Sequence, residues 1–503
     1  MHPAWQIDDI RYSIFECLDP CDLARLARTA GFFFNVATDE LWKTVGSMSP
    51  FLCCLPPDAR RRPLQVGDIQ RLNLYTSKTQ SVRLESKEIA RVIPLPPRFQ
   101  PNKKQQQQQP DEDTTKTWEE LWEEITKLSP RSDFLPNLRR VRFNSAVEEL
   151  LTPLIGISGA NLTHIYIKYI HQRRPESIVR NFLDQLQDTS KLKYLFVRDG
   201  EPDLVPSRLI QQSPLEHLRL DPRIHAARHE DFQFKEYPLR FEILQKETLE
   251  HLTIGLNRLW YSDAFRALDG RYLPALKTLW LNLTTFTTEA LYGWTSNDIE
   301  RSPAVFLSRL DNPELSLLNI KFPLDTYGNM FLDVVSAANT GCRLDNLVEL
   351  ALAGGGWFNN CGECGKRPPP RILPTDLRAA MNMLLPLPRL RILRLSVAPN
   401  FLDVLDLEMY RSIADGLPGL EKLCLGHREF VASSEVEGTS FYERVPLHDL
   451  AAFCSMLPKL VEVSVGAVDG LTLEERPCEE WACPGVTSLS VAHWAGNHAR
   501  GVS

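Results

Sequence analysis

The sequence predicts an α/β solenoid, in which short parallel strands form a sheet and helices cover its outer side. Three observations lead to this prediction. A pattern of an apolar residue, two variable residues, an apolar residue, one variable residue and an apolar residue returns twelve times, starting at residues 138, 162, 192, 215, 249, 276, 315, 347, 390, 420, 460 and 486. Helical apolar spacing occurs between several copies, at 178–186, 331–335, 377–384, 410–417 and 450–457. The length of 503 residues exceeds what one compact core usually holds.

Each copy of the pattern is interpreted as a turn followed by a strand, as at Leu215, Leu218 and Leu220. The second and third apolar residues are two apart and therefore share one face of a strand, while the first packs the turn before it. One unit cannot bury this face alone, but stacked units bury a continuous spine. A strand followed by a helix resembles the leucine-rich-repeat family, and the resemblance implies a curved array with the parallel sheet inside and the helices outside.

The first fifty residues carry a different pattern, which predicts three short helices. Ile7, Ile10, Ile14 and Leu18 are spaced as one helical stripe. Asp19 followed by Pro20 predicts a helix cap and the first residue of a second helix, and a third helical segment ends near Trp42. Three short helices bury little surface, so we expect this unit to depend on a partner.

The order of these residues resembles an F-box of the form common in fungal F-box proteins. The matching features are Ile10 and Ile14 before Leu18, then Asp19, Pro20, Asp22 and Leu23, and a closing Leu41–Trp42 pair. The sequence departs from the family at Ala4–Trp5, where Leu-Pro is common, and at Thr29–Ala30, where many members have Val and Cys. The resemblance implies docking on the Skp adaptor of a cullin–RING ubiquitin ligase. The adaptor contacts or supports that it implies are Pro3, Ile7, Ile10, Ile14, Leu18, Pro20, Leu23, Leu26 and Trp42.

Four segments are expected along the chain. Residues 1–48 form the F-box. Residues 49–96 hold a connecting helix, with Val66, Ile69 and Leu72 on one side, and an irregular first repeat whose strand contains Val82 and Leu84. Residues 97–117 are an insertion with five consecutive glutamines, which cannot pack a core and is predicted to be disordered. Residues 118–503 form the leucine-rich-repeat array.

The variable strand residues alternate with the spine and are expected on the open side of the sheet. They are basic and aromatic in the early copies and small in late ones, such as Ala351 and Ser464. Arg, Tyr and Trp dominate binding hot spots, and a basic aromatic surface suits an acidic or phosphorylated peptide. An ordinary solvated face is the alternative interpretation. The candidate target-binding residues are Arg140, Arg142, His164, Tyr166, Tyr194, Phe196, Arg198, His217, Arg219, His251 and Trp280.

The sequence gives little indication of a catalytic or metal-binding site. The chain has no His-Glu-x-x-His, no Gly-x-Ser-x-Gly and no dinucleotide fingerprint, and we expect no enzyme. Cys361 and Cys364 form a Cys-x-x-Cys pair in a Gly-rich stretch, interpreted as a loop with two free thiols. An enzyme or metal protein that uses this loop is the remaining alternative. No metal or cofactor is expected.

The composition and net charge argue against two classes of partner, nucleic acids and membranes. A net charge of −7 gives no general attraction to nucleic acid or to an anionic membrane, and no apolar run approaches 18 residues. We expect no secretory signal, because the first residues show no basic segment followed by an apolar run. Eleven irregularly spaced cysteines, most of them expected to be buried, favour a reducing cytoplasm or nucleus. The F-box resemblance, combined with the repeats, implies the substrate-recognition subunit of a Skp–cullin–F-box ubiquitin ligase, whose box holds the Skp adaptor and through it cullin–RING, and whose repeats hold an unknown target protein. The alternative is a protein-binding scaffold without ligase assembly.

Overall fold

The computed structural model describes the greater part of both the box and the repeats. The described residues are 8–47, 49–59, 61–84, 116, 118–129, 134–143, 154, 159–168, 176–200, 205–222, 247–255, 273–282, 302–310, 312–322, 328–341, 344–354, 374–385, 387–396, 406–425, 445–469 and 485–495. Pro3, Ile7, the glutamine run and the Cys361–Cys364 pair lie outside these residues. The chain divides into two compact units, Met1–His217 and Leu218–Ser503, so the boundary falls inside the predicted array.

The first unit begins with three helices and continues as alternating helices and parallel strands. Its helices are α1 (Asp8–Glu16), α2 (Pro20–Thr29), α3 (Gly31–Lys43), α4 (Ser49–Leu52), α5 (Val66–Thr76), α6 (Trp118–Leu128), α7 (Glu176–Gln185) and α8 (Ser207–Gln212). Its strands are β1 (Thr44–Val45), β2 (Ser81–Leu84), β3 (Arg140–Phe143), β4 (His164–Lys168) and β5 (Tyr194–Gly200), which pair in chain order and in parallel. The unit boundary lies at the start of β6 (His217–Pro222).

The second unit repeats the same alternation. Its strands are β7 (His251–Gly255), β8 (Thr278–Asn282), β9 (Leu317–Phe322), β10 (Glu349–Gly354), β11 (Ile392–Ser396), β12 (Lys422–Leu425), β13 (Val445–Pro446), β14 (Glu462–Asp469) and β15 (Ser488–Ala495). Its helices are α9 (Ser302–Arg309), α10 (Gly328–Gly341), α11 (Pro374–Leu384), α12 (Leu407–Gly416) and α13 (Leu447–Met456). Strands β7 to β12 pair in parallel in chain order, and β14 then pairs with β12, β13 and β15. The five helices predicted between repeats are all present.

The predicted spine is buried. Eleven of the twelve apolar triplets, from Leu138–Val141–Phe143 to Leu460–Val463–Val465, keep no side chain more than 4% exposed. The twelfth begins at Val486, which is half-buried. Burial of about 2 kcal/mol per side chain makes this spine the main source of stability. The leucine-rich-repeat fold and its α/β class are therefore confirmed.

The turn before each strand has a repeated hydrogen-bond pattern as well. One carbonyl accepts from two successive N–H groups of the next repeat, as Arg139 does from Thr163 (2.8 Å) and His164 (3.0 Å). The same arrangement recurs at Lys277, which accepts from Ser316 (2.9 Å) and Leu317 (3.0 Å). The repeats that share this arrangement are therefore fixed to their neighbours through backbone as well as through the spine.

Asparagine side chains add a connection that the sequence analysis missed. Asn161 Nδ2 donates to the Pro136 carbonyl at 2.9 Å, and Asn346 Nδ2 donates to the Pro313 carbonyl at 2.6 Å. Asn312 is completely buried and donates to the carbonyl of Leu273, while its Oδ1 accepts from the Glu314 N–H at 2.8 Å. The Asn312 contact is buried, so this amide satisfies a carbonyl group that would otherwise be buried without a donor.

The burial of one residue of the connecting helix differs from the expectation. The connecting helix is α5, and it buries Ile69 and Leu72 as predicted, but Val66 is 63% exposed. Gln65 and Asp68 form a capping box at this helix end, which places Val66 on the outer side of the first turn. Among the described cysteines only Cys54 and Cys454 are buried, Cys424 is half-buried, and Cys17, Cys21 and Cys53 are exposed. Most of the described thiols therefore do not act as buried apolar residues.

Among the residues that the structure describes, no helix is long and apolar enough to cross a bilayer.

Candidate protein-interaction surfaces

The N-terminal helices form a small closed core. Phe15 and Ala37 are completely buried, and Leu23 and Val36 complete the cluster. Asp19 caps α2 as predicted, because its Oδ1 accepts from the N–H groups of Cys21 (2.8 Å) and Asp22 (2.9 Å). The helices therefore have a core of their own before any partner is added.

A second set of apolar side chains on these helices faces solvent. Ile10, Tyr12 and Ile14 on α1 and Phe32 and Phe34 on α3 are between 37% and 42% exposed. They are five of the nine large apolar residues that the described part of the chain exposes. Ile10 and Ile14 lie one turn apart and share one side of α1, whereas Tyr12 lies on another side of this helix. We call these five residues the box face.

The residues implied by the F-box resemblance occupy three kinds of position. Ile10, Ile14 and Pro20 are exposed. Leu23 belongs to the core, and Leu18 and Leu26 pack against it half-buried. Trp42 lies at the junction with the first repeat, as described next. The core residue that sequence reasoning missed is Phe15, whose ring packs 5.9 Å from that of Phe33.

The three N-terminal helices are joined directly to the sheet. Trp42 stacks on Tyr75 of α5 with ring centroids 4.5 Å apart and lies 5.5 Å from the ring of Phe51. The two residues after α3 form β1, in which Thr44 and Val45 pair with Ser81 and Val82 of β2. An ion pair between Lys78 and Asp39 adds a further contact. The helices are therefore held against the first repeat by both side chains and backbone.

Lys43 strengthens the box at the end of α3. Its Nζ lies 3.0 Å from carboxylate oxygens of both Glu16 and Glu40. Hydrogen bonds to these two carboxylates raise the pKa of Lys43. The pair with Glu16 connects the end of α1 to the end of α3.

The open side of the first unit carries a row of stacked rings. The parallel register places Arg140, His164 and Tyr194 in one line across β3, β4 and β5. The rings of His164 and Tyr194 are 4.0 Å apart and nearly parallel, at 7°. Tyr194 also stacks on His217, at 4.4 Å and 19°. Three successive repeats thus contribute to one continuous stack.

A second row lies two residues further along the same strands. Its register positions are Arg83, Arg142, Tyr166 and Phe196. The guanidinium carbon of Arg142 lies 4.7 Å from the centre of the Tyr166 ring, a cation–π geometry. Tyr166 and Phe196 are stacked at 4.3 Å and 12°. Lys168 and Arg198 are paired in register at the next position along β4 and β5. We call the two rows together with this pair the cationic aromatic face.

The charge of this face is positive. Arg83, Arg140, Arg142, Lys168 and Arg198 occupy it, and no Asp or Glu occupies the outward positions of the described strands from Ser81 to Arg198. Burial lowers the pKa of His164, and the nearby charges of Arg140 and His217 lower it further, which favours the neutral imidazole. Its Nδ1 lies 2.8 Å from the Thr163 hydroxyl oxygen.

The remaining candidate target residues, Arg219, His251 and Trp280, belong to the second unit. Trp280 is 36% exposed and lies in register between Thr253 and Asn319. The charged residues on this unit's strands include opposite pairs: Arg394 lies 3.4 Å from Glu349 and Lys422 lies 2.7 Å from Glu462. Within the first unit the structure therefore brings together the candidates from Arg140 to His217, and Arg219 follows His217 by two positions on β6.

The described residues contain no group of three or more His, Cys, Asp and Glu side chains that could hold a metal ion.

Comparisons with known proteins give distant likenesses. No protein-family model matches the chain, and no curated protein matches it. Among solved structures, the chain is similar to the yeast Rad7–Elc1 complex, with 12% identity over 87% of this chain and 92% of that one and a TM-score of 0.33. It is also similar to the TLR13–ssRNA13 complex, with 14% identity over 72% of this chain and 50% of that one and a TM-score of 0.24. A third is the leucine-rich-repeat ectodomain of the plant membrane receptor kinase GASSHO1/SCHENGEN3 from Arabidopsis thaliana, with 10% identity over 71% of this chain and 44% of that one and a TM-score of 0.22. The fold assignment stands on the buried spine and the parallel register of this chain itself.

Proposed function

We propose that the protein is the substrate-recognition subunit of a Skp–cullin–F-box ubiquitin ligase. In this proposal the box face docks on the Skp adaptor, which brings cullin–RING, and the repeats hold a target protein. The chain makes and breaks no covalent bond itself. Its contribution is to hold the target near the ubiquitin-charged enzyme, which raises the effective concentration of target lysines. Such a ligase subunit belongs in the cytoplasm or the nucleus, where we expect to find it.

The observation that carries this proposal is the apolar box face on a unit whose core is already closed. Phe15 and Leu23 fill the interior, so the exposure of Ile10, Ile14 and Phe34 gives the box no stability of its own. Covering the five partly exposed side chains would contribute roughly 3–6 kcal/mol at the usual value per buried apolar group. Because the same helices match the F-box order of residues, a Skp adaptor is the partner that we propose for this face.

The direct junction between the box and β2 also supports the proposal of a substrate receptor. A receptor must place its target at a defined distance from the ligase, which a flexible connection would not do. Trp42 on Tyr75 and the pairing of β1 with β2 provide a defined connection within the first unit.

The test is adaptor binding by the full chain after a change on the box face. Ile10→Glu together with Ile14→Glu is expected to reduce co-purification of the Skp adaptor at least tenfold, because the interface would have to bury two carboxylates. The matched control is Val66→Glu with Leu74→Glu, which makes the same change at exposed apolar positions of α5. Equal loss in both double variants, or no adaptor with the unchanged chain, would refute the proposal. Target capture that persists without any adaptor would instead indicate the scaffold.

A further inference from the structure

The cationic aromatic face has the dimensions of an extended peptide. It crosses β2 to β5 and the start of β6, which at about 4.8 Å per strand amounts to roughly 19 Å. An extended chain covers this length with about six residues. The ligand that fits is therefore a short linear segment that lies across the strands.

The orientation of the rings determines which ligand groups they can contact. Tyr166 stacks on Phe196, and Tyr194 stacks between His164 and His217, so these rings turn their faces toward one another. The ring edges, which carry partial positive charge, are left to meet a ligand. Stacking of nucleobases needs a free ring face. Tyr194 already uses both of its faces on His164 and His217, and Tyr166 uses its faces on Phe196 and Arg142. The arrangement favours a peptide with apolar and anionic groups over a single-stranded nucleic acid.

The cations lie in two places around the rings. Arg83, Arg140 and Arg142 occupy the end of the rows at β2 and β3, and Lys168 and Arg198 flank the rings at the ends of β4 and β5. Arginine offers a planar pair of donors that matches a carboxylate or a phosphoryl group. The contact with the Tyr166 ring fixes the Arg142 guanidinium before any ligand arrives.

We propose that the cationic aromatic face selects an extended acidic segment of the target. A carboxylate or phosphoryl group of the segment binds the arginines of β2 and β3. An apolar residue about three positions away lies on the ring edges of Tyr166 and Phe196, because the distance from the arginines of β2 and β3 to the gap between β4 and β5 is about 7–12 Å. This inference rests on the proposed function, since it names the class of target that the receptor holds.

The test uses the full chain and labelled synthetic peptides in a fluorescence-anisotropy titration. The probe is a Gly/Ser peptide of about twelve residues with two adjacent glutamates three positions before one phenylalanine. Matched peptides carry glutamine or phosphoserine in place of the glutamates, or alanine in place of the phenylalanine, and a single-stranded oligonucleotide of equal length is titrated in parallel. We expect the glutamine peptide to bind at least tenfold more weakly than the glutamate or the phosphoserine peptide. Which of these two binds more tightly identifies the natural source of the negative charge.

Variants of the chain locate the binding. Arg83→Glu with Arg142→Glu is expected to weaken binding of the acidic peptide at least tenfold, and Phe196→Ala several-fold. Arg180→Glu is the control, because it reverses an exposed arginine of α7 in the same unit. Equal affinity for the glutamate and glutamine peptides, tighter binding of the oligonucleotide, or an equal effect of Arg180→Glu would overturn the inference.

The outcome is separable from that of the proposed function. Peptide titration requires no adaptor, and adaptor co-purification requires no peptide. If the adaptor binds and no acidic peptide does, the inference about the target fails and the proposed function stands. If acidic peptides bind and the adaptor does not, the proposed function fails and the specificity of the cationic aromatic face remains established.

Discussion

Phe15→Ala should open the box while leaving the repeats folded, and Ile14→Ala should not. These two residues are neighbours in α1, yet Phe15 is completely buried and Ile14 belongs to the box face. The comparison therefore separates the contribution of the core from that of the docking surface with two substitutions at adjacent positions.

The magnitudes follow from burial. Replacing a fully buried Phe by Ala usually costs about 3–5 kcal/mol, which raises the equilibrium constant for opening by about two to four orders of magnitude. Three short helices hold little stability in reserve, so this loss is enough to keep the box open for much of the time. Ile14 is already 37% exposed, and its removal should cost about 1 kcal/mol, or roughly fivefold in opening.

Hydrogen exchange of the full chain, followed by mass spectrometry, measures how much each substitution changes the opening equilibrium of the N-terminal helices. Peptides from α1 to α3 should exchange far faster in Phe15→Ala than in the unchanged chain, while peptides from α12 and α13 should be unaffected. In Ile14→Ala the box should remain protected, although adaptor co-purification should fall. Equal protection in the two variants would refute the division of α1 into a core side and a docking side.

Three further predictions follow from buried polar and titratable groups. Asn312→Ala should lower the free energy of unfolding by about 1–3 kcal/mol, because it leaves a buried carbonyl without its donor, while Asn161→Ala should cost about 0.5 kcal/mol; identical urea midpoints would contradict this. Burial raises the pKa of the Cys54 thiol to about 11, so iodoacetamide at pH 8 should modify Cys17 long before Cys54, and equal rates by peptide mass mapping would be inconsistent with that burial. His164 has its pKa lowered in the folded chain, so its stabilising effect is complete above the ordinary value of about 6.5 and is lost as the pH falls below it. The melting temperature of His164→Gln should therefore fall less between pH 7.5 and pH 5.5 than that of the unchanged chain, and parallel curves would argue against this role.

The repeats were predictable because their signal is short and local. Each strand contributes two spine residues two positions apart, and a turn residue precedes them by three, so the pattern is visible without knowledge of neighbouring repeats. Leu279 and Leu393, for example, are buried as their spacing predicts. The register of parallel repeats follows from the same pattern, which is why the residues of one row could be assigned to one face.

The orientation of α1 was not predictable in the same way. Helical spacing shows that Ile10 and Ile14 share a side, but α1 also carries Phe15 on another side. Which side meets the core depends on the packing of α1 against α3, including the contact between Phe15 and Phe33. A residue pattern within one helix contains no information about that neighbour.

The stacked rings could not have been predicted from the sequence, whereas the asparagine contacts could have been. The stacking of Tyr194 on His164 and His217 depends on side-chain rotamers that strand phase does not determine. The asparagines left a signal that could have been found, because Asn137, Asn161 and Asn346 each stand directly before the first apolar residue of a repeat. Their shared position would have predicted a structural role.

Under the proposed function, the two-residue strand β1 has a consequence for which lysines of a target can be modified. Thr44 and Val45 follow α3 without a spacer and pair with β2. The N-terminal helices and the neighbouring strands of the first unit are therefore expected to move together. A target protein bound to those strands would be held in one orientation relative to the N-terminal helices. Only the target lysines that face the ubiquitin-charged enzyme would then be within its reach. The positions of the lysines on a target would then affect its ubiquitination as much as its affinity for the repeats does.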